Sequence, residues 1–231
     1  MSDKIMEEGN SADGNRCIIE KIITIPGLNL LITPDKQYGS CSALNIALAI
    51  ADATKFLERK PEHGRVLVFS LENARKKTEQ MLIQYNSGIG DIIGVYAYKK
   101  GIFGNRIEEV LDVFLQDNPR IKMVVIDSLE KIVEAELGRM EYVYAYRKLD
   151  DIKNVADRHG ATLFVGIHDG NPEDTGMLAD IADTVLKIIT EGGNQDGHKY
   201  TLHVNRKDTH GNRITAEFDA GNCTWNQIVD K

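Results

Sequence analysis

Five short apolar runs, Leu28 to Thr33, Arg65 to Ser70, Ile92 to Ala97, Ile121 to Asp127 and Ala161 to Ile167, are separated by stretches of helical periodicity. Those stretches, Ser42 to Arg59, Ala74 to Tyr85, Arg106 to Gln116 and Met140 to Arg158, repeat Leu, Ile and Val at spacings of three and four. The alternation leaves the chain little freedom, because neighbouring parallel strands need long crossovers and helices supply them. An α/β fold is expected: a mainly parallel central sheet with helices on both faces. After Ile167 the pattern changes. A short helical or irregular piece, Met177 to Asp183, leads into Thr184 to Thr190, Lys199 to Asn205 and Arg213 to Phe218, joined by the turn sequences Glu191 to Gly197 and Asp208 to Asn212. The sheet should therefore finish with antiparallel strands. No linker, repeat or low-complexity block divides the 231 residues. The expected organisation is a solvated tail over 1–16 and one domain over 17–231.

Charge and cysteine content narrow the function classes. A formal net charge of −7 and a pI near 5.4 argue against a dominant basic face, so nucleic acid as a partner is not indicated by charge. No apolar run reaches the ~18 residues of a membrane span, and the N-terminus is acidic and polar where a signal peptide is apolar. Cys17, Cys41 and Cys223 are widely spaced and form no CxxC. Neither a disulfide framework nor a zinc site is indicated, and a reducing cytoplasm is the expected compartment.

The loop after the first apolar run carries the most information. Leu28 to Ile32 reads as a strand, Ala43 to Ala51 begins an alanine-rich helix, and between them lies Thr33-Pro34-Asp35-Lys36-Gln37-Tyr38-Gly39-Ser40-Cys41-Ser42. Strand, loop and helix are the setting of a phosphate-binding GxxxxGK[ST] loop. There, glycines let backbone N–H groups curl around phosphate oxygens, a lysine reaches the β/γ-phosphates and a hydroxyl meets magnesium. Laid over this chain, the pattern puts Pro34 at the first glycine, Gly39 at the second, Ser40 at the lysine and Cys41 at the hydroxyl residue. Only Gly39 matches.

Three further strand ends matter, because ligands of open α/β sheets bind beyond the carboxyl ends of the strands. Val66 to Phe69 delivers Glu72, Met123 to Ile126 delivers Asp127, and Leu163 to Ile167 delivers His168. An aspartate after four apolar residues is the Walker B arrangement, in which the carboxylate reaches a magnesium ion or its water shell. Each match alone has a plain structural explanation. Their succession on consecutive units of one chain is harder to explain that way.

With these residues assembled, Gly27 to Asn226 resembles the RecA-like P-loop ATPase superfamily, and within it the RepA-type and DnaB-type helicase ATPases. Ser70-Leu71-Glu72 is similar to the family motif whose glutamate polarises the attacking water, Val124 to Lys131 to its Walker B strand, and His168 to its sensor. The resemblance implies Glu72, Asp127 and His168 as catalytic residues and Asp127 at the metal. It further implies a nucleotide site of Lys36, Gly39, Ser40, Cys41, Ser42, Arg206 and Lys207, with ATP and Mg2+ as ligands, a homo-oligomeric assembly and a link to DNA replication or recombination.

The departures bear on what transfers. Ser40 in place of the lysine removes a charge-assisted phosphate contact of roughly 1.5–3 kcal/mol, so ATP affinity should fall by about one to two orders of magnitude or more. Asp35 adds a like charge beside the phosphate path, and Cys41 is a poor ligand for an ion that prefers hard oxygen donors. Lys36 and Ser42 are the stand-ins for the missing lysine and hydroxyl, and the amides at the helix start remain for an anion. The resulting expectation is a degenerate site with weak or absent ATP hydrolysis. Its alternative is an active helicase-type ATPase with an atypical loop. Arg206 and Lys207 read either as fingers reaching a neighbouring subunit's nucleotide or as a solvated hairpin end, and Arg75-Lys76-Lys77 as a partner contact or a solvated helix face.

Other classes stay open. Gly39-Ser40-Cys41-Ser42-Ala43 also reads as a nucleophile elbow, with Asp127 and His168 following in the order of an α/β-hydrolase. Against a cysteine hydrolase stands topology, since that fold places several strands before its nucleophile. A third class is a scaffold that keeps the fold for assembly without turnover.

Overall fold

A computed structural model describes residues 16–72, 78–79, 91–95, 106–168, 172–191, 199–207, 212–219 and 224–228. Most of the expected Ala74 to Tyr85 helix, Arg75-Lys76-Lys77, most of both hairpin turns and nearly all of the expected tail lie outside them.

The five apolar runs form strands where the sequence placed them. They are β3 (Leu28–Thr33), β4 (Arg65–Phe69), β5 (Ile92–Val95), β6 (Ile121–Ile126) and β7 (Thr162–His168). A first short pair, β1 (Cys17–Ile19) and β2 (Ile23–Thr24), stands apart as a two-stranded sheet. The main sheet has the order β11-β10-β9-β8-β3-β7-β6-β4-β5. Strands β3 to β8 run parallel, so β3, β4, β6 and β7 are interior as the sequence required. The antiparallel extension is β8 (Thr184–Glu191), β9 (Lys199–Arg206), β10 (Asn212–Asp219) and β11 (Thr224–Gln227).

Alternate residues of each interior strand serve the two cores. On one face, Leu31, Val66, Val68, Val125 and Phe164 pack against helix α1 (Lys36–Asp52). On the other, Leu30, Leu67, Val124 and Val165 meet α2 (Ile107–Asp117), α3 (Leu129–Leu137) and α4 (Tyr142–Arg158). At about 1.5–3 kcal/mol for each fully buried aliphatic side chain, this two-sided burial holds the layers together. A short helix, α5 (Pro172–Ala179), precedes β8 where a shorter piece from Met177 was expected.

Two helices depart from the sequence reading. The first, α1, starts six residues before Ser42 and stops at Asp52 rather than Arg59. It stops because Ala53 turns left-handed (φ 51°), and the Thr54 N–H reaches back 3.0 Å to the Ala49 carbonyl. Helix α3 was not separated from the Walker B segment. It begins at once after β6 because Ser128 caps it, accepting the Lys131 N–H at 3.4 Å, and Gly138 ends it at φ 82°. No helix among the described residues is long and apolar enough to cross a membrane.

The far-face helices are tied by a buried ion cluster. Lys148 on α4 lies 2.8 Å from Glu108 on α2 and 2.8 Å from Glu136 on α3, with the Lys148 side chain 3% exposed. Tyr144 donates to the same Glu136 oxygen at 2.6 Å. Removing one member of such a cluster strands the rest without water. Lys148→Ala is expected to lower unfolding free energy by about 3–5 kcal/mol, against about 0.5 kcal/mol for Lys153→Ala in the α4 surface pair with Asp157. Urea denaturation of both variants checks this.

Candidate functional site

Register gathers the carboxyl ends of four strands. Thr33 at the end of β3 pairs with His168 on β7, and Phe69 on β4 pairs with Ile126 on β6. Lys36, Gly39, Glu72, Asp127 and His168 consequently line one cleft, joined by Glu130 from the first turn of α3. The cleft holds about 10 Å³, room for roughly one water.

The cleft is small because α1 starts early. Its first turn runs through Lys36-Gln37-Tyr38-Gly39, where a phosphate loop would need open backbone. Asp35 caps it: its carboxylate accepts the Tyr38 N–H at 3.4 Å, and its carbonyl accepts the Gly39 N–H at 3.1 Å and the Thr33 hydroxyl at 2.9 Å. The expectation that these amides stay open to an anion is thereby corrected for Tyr38 and Gly39, whose N–H groups are satisfied from within. Gly39 packs so close to β3 that a Cβ there would lie 3.0 Å from the Thr33 hydroxyl oxygen. The His168 ring, through Nε2, hydrogen-bonds the Pro34 carbonyl at 2.9 Å, and its backbone N–H donates to Glu130 at 2.6 Å. His168 thus braces the loop before α1.

Asp127 binds backbone. Its carboxylate accepts the Leu71 N–H at 2.7 Å, the Glu72 N–H at 3.3 Å and the Ser70 hydroxyl at 3.4 Å, which fixes the turn leaving β4. Gly166 on β7 makes room for it, since a Cβ there would sit 2.5 Å from the Asp127 carbonyl oxygen. Burial pushes the Asp127 carboxyl up to about 6, the Leu71 and Glu72 amides hold it back, and the neighbouring Glu72 carboxylate adds to the rise. Glu72 has one carboxylate oxygen buried without a partner. Lys131 faces it: desolvation disfavours that ammonium, yet the carboxylates of Glu72, Glu134 and Glu130 hold its pKa above the usual lysine range.

Ser40, Cys41 and Ser42 do not line the cleft. They lie inside α1, each at most 4% exposed. The Ser40 hydroxyl is close enough to favour Asp127 ionisation but makes no hydrogen bond of normal geometry. Ser42 donates to the Tyr38 carbonyl at 2.6 Å and accepts from the Trp225 indole N–H at 2.7 Å. Cys41 is disulfide-bonded to a partner outside the described residues, while Cys17 is not in a disulfide. This corrects the absence of disulfides expected from the spacing, because pairing depends on nearness in space. It also removes the cysteine hydrolase: a disulfide sulfur is no thiolate nucleophile, and Gly39 to Ala43 are helical rather than an elbow.

Arg206 and Lys207 lie elsewhere. Strand β9 runs antiparallel to β8, so its end pairs with Thr184 where β8 begins, at the end of the sheet opposite the cleft. Among the described residues no group of three or more His, Cys, Asp or Glu side chains is placed to hold a metal. Glu130 and Lys131 belong to the site and were not singled out for it, and Asp35, expected only as a like charge beside the phosphate path, is the cap of α1. The signals were a Ser128 cap before Glu130 and an Asp35 cap three residues before Tyr38.

Two measurements follow. Asp127 has a pKa above its unfolded 3.8, so its contribution to stability is full below about pH 4 and is lost as pH rises through about 6. Asp127→Asn lacks that loss, and its stability relative to the parent should gain up to about 3 kcal/mol between pH 4 and pH 7. Denaturation curves across that range decide it. Alkylation of the denatured, unreduced chain should label one cysteine by mass, and all three after reduction; full labelling without reductant would contradict the bonded state of Cys41.

Comparison with known proteins agrees with this architecture. Residues 15–174 match the family described as AAA domain. No curated protein matches the sequence. Among solved structures the fold is similar to that of a KaiC-like protein from the hyperthermophilic archaeon Pyrococcus horikoshii OT3, with a TM-score of 0.69 at 13% identity over 92% of this chain and 94% of that one. The matched segment carries β3, α1, β4, β6 and β7, the elements that build the cleft, and on that ground the chain belongs to the AAA domain family, within the RecA-like P-loop ATPase superfamily.

Proposed function

We propose that this protein is a RecA-like ATPase-fold component with a degenerate nucleotide site, weak or absent ATP hydrolysis, and a homo-oligomeric role in DNA replication, recombination or their regulation. One observation carries the reading: α1 starts before Gly39, and Asp35 takes up its first amides. A phosphate loop needs those amides around oxygens. Sites that enclose small ligands measure about 300–1,000 Å³, against about 10 Å³ here. ATP with Mg2+ does not fit the residues present, since Ser40 brings no charge, the Ser42 hydroxyl is held by Tyr38 and Trp225, and Cys41 is bonded elsewhere. Asp127, the family's metal residue, has its carboxylate on backbone amides. The link to DNA rests on the family resemblance alone, the net charge of −7 giving it no support.

The second reading, a working ATPase with an atypical loop, is favoured by the shared cleft of Lys36, Glu72, Asp127 and His168. Phosphate release from ATP with Mg2+ separates the two. The parent is expected to turn over no faster than a Glu72→Gln, Asp127→Asn double variant, and turnover present in the parent but lost in the variant reverses the order.

The oligomeric part concerns Arg206 and Lys207. Lying at the opposite end of the sheet from their own chain's cleft, they serve a nucleotide-type site only at a neighbour's, where the Glu72 and Asp127 carboxylates attract cations. Light scattering over a concentration series should show an oligomer that Arg206→Ala, Lys207→Ala weakens. A monomer throughout, or an oligomer indifferent to the change, removes this interface.

A further inference from the structure

Cys41 of α1 is one end of a disulfide. The chain has three cysteines and Cys17 is not in a disulfide, so the count leaves Cys223 as the other end. In sequence Cys223 directly precedes β11, and the bond therefore ties α1 to the C-terminal extension. Residues beside it make the same junction without a covalent bond. Trp225 of β11 donates to the Ser42 hydroxyl at 2.7 Å, and Ser42 donates to the Tyr38 carbonyl at 2.6 Å.

The part of α1 nearest this junction is its weakest. The first turn holds Gly39, the poorest helix former after proline, and no acidic residue. The cap from the Asp35 carboxylate to the Tyr38 N–H is long, at 3.4 Å. From outside, the turn is held by the Tyr38 ring, which packs edge-on against Tyr200 and Phe218, with Trp225 against both of those. Strands β9 to β11 thus hold this turn helical more than its own sequence does, and the disulfide is the covalent part of the hold. Lys36 and Gly39 of the same turn line the nucleotide-type cleft.

We propose that the Cys41 disulfide is a redox latch on that cleft. Oxidised, it clamps the first turn of α1 to the C-terminal extension. Reduced, it lets Lys36 to Gly39 unwind and frees the Tyr38 and Gly39 amides for an anionic ligand of the triphosphate class. The latch rests on the reading of the cleft as a closed, degenerate nucleotide site and adds its regulation. The reductant is a dithiol: one of its thiolates attacks the S–S bond and displaces one cysteine, and its second thiol then displaces the other. Two electrons and two protons pass to the chain, which gains two thiols, and the dithiol ends as its own disulfide.

Amide hydrogen exchange on the full chain, before and after reduction by dithiothreitol, tests this. Cys41 is 2% exposed, so complete reduction is first verified by mass as two added hydrogens. Exchange at residues 38–42 should quicken about tenfold more than at Val124 and Leu163 in the interior strands. Emission of Trp225, the one tryptophan, should shift to the red as its indole leaves Ser42. Cys223→Ser, which leaves α1 intact, should show the opened state without reductant, and Cys17→Ser should respond as the parent does. Inorganic triphosphate should bind the reduced chain about tenfold more tightly than the oxidised one. Unchanged exchange at 38–42, a rise shared equally by the interior strands, or an opened turn with no gain in triphosphate binding overturns the latch. Failure of the underlying reading is a separate result: phosphate release from ATP by the oxidised chain, whatever the exchange shows.

Discussion

Each backbone N–H at the start of a helix serves one strong acceptor at a time, and in α1 that choice governs the arrangement around it. In a phosphate loop these groups converge on oxygens of a ligand. Here the Gly39 N–H closes on the Asp35 carbonyl and the Tyr38 N–H on the Asp35 carboxylate. The anion that a helix start attracts is thus a side chain of the same strand-to-helix junction. From this follow the early start of α1, the inward placement of Ser40, Cys41 and Ser42, and the small volume left beside Asp127.

The early turn is held from the far side by the C-terminal strands. Tyr38, in that turn, packs edge-on against Tyr200 of β9 and Phe218 of β10, at centroid distances of 5.2 and 4.9 Å. Trp225 of β11 packs against both and donates to Ser42. Edge-to-face pairs of this kind contribute about 0.5–1.5 kcal/mol each beyond area burial. A helix starting at Ser42 would withdraw Tyr38 from this cluster. The antiparallel extension therefore supports the loop conformation as well as widening the sheet.

What was legible in the sequence follows the same physics. Interior strands bury both faces, so Leu28 to Thr33 and Ile121 to Ile126 stand out as continuous apolar runs, and their order along the chain leads to the parallel sheet. The strand-end residues Glu72, Asp127 and His168 were found because register forces strand ends together. The start of α1 was misplaced because the family pattern was laid over it, although Pro34-Asp35 before Lys36 is itself a helix-start signal. Helix α3 was hidden by the Walker B pattern laid over Val124 to Lys131, despite Ser128 and Gly138 at its ends. The Cys41 disulfide had no local signal at all. Likewise, the position of Arg206 opposite the cleft emerges only once β9 is known to run antiparallel to β8.

An aspartate at the end of β6 needs a reason, since burial pushes its carboxyl up to about 6 and a buried charge is costly. The hydrogen bonds supply it. Asp127 is the acceptor for two consecutive amides where the chain leaves β4, and an apolar residue there would leave both N–H groups without that partner. Glu72, carried on that turn, is placed by Asp127 and faces Lys131. The Asp127 carboxylate thus braces the junction of β4 and β6. Residue identity at such positions records the fold as strongly as it records the reaction, whereas the path of the backbone from Thr33 to Gly39 bears on phosphate binding directly.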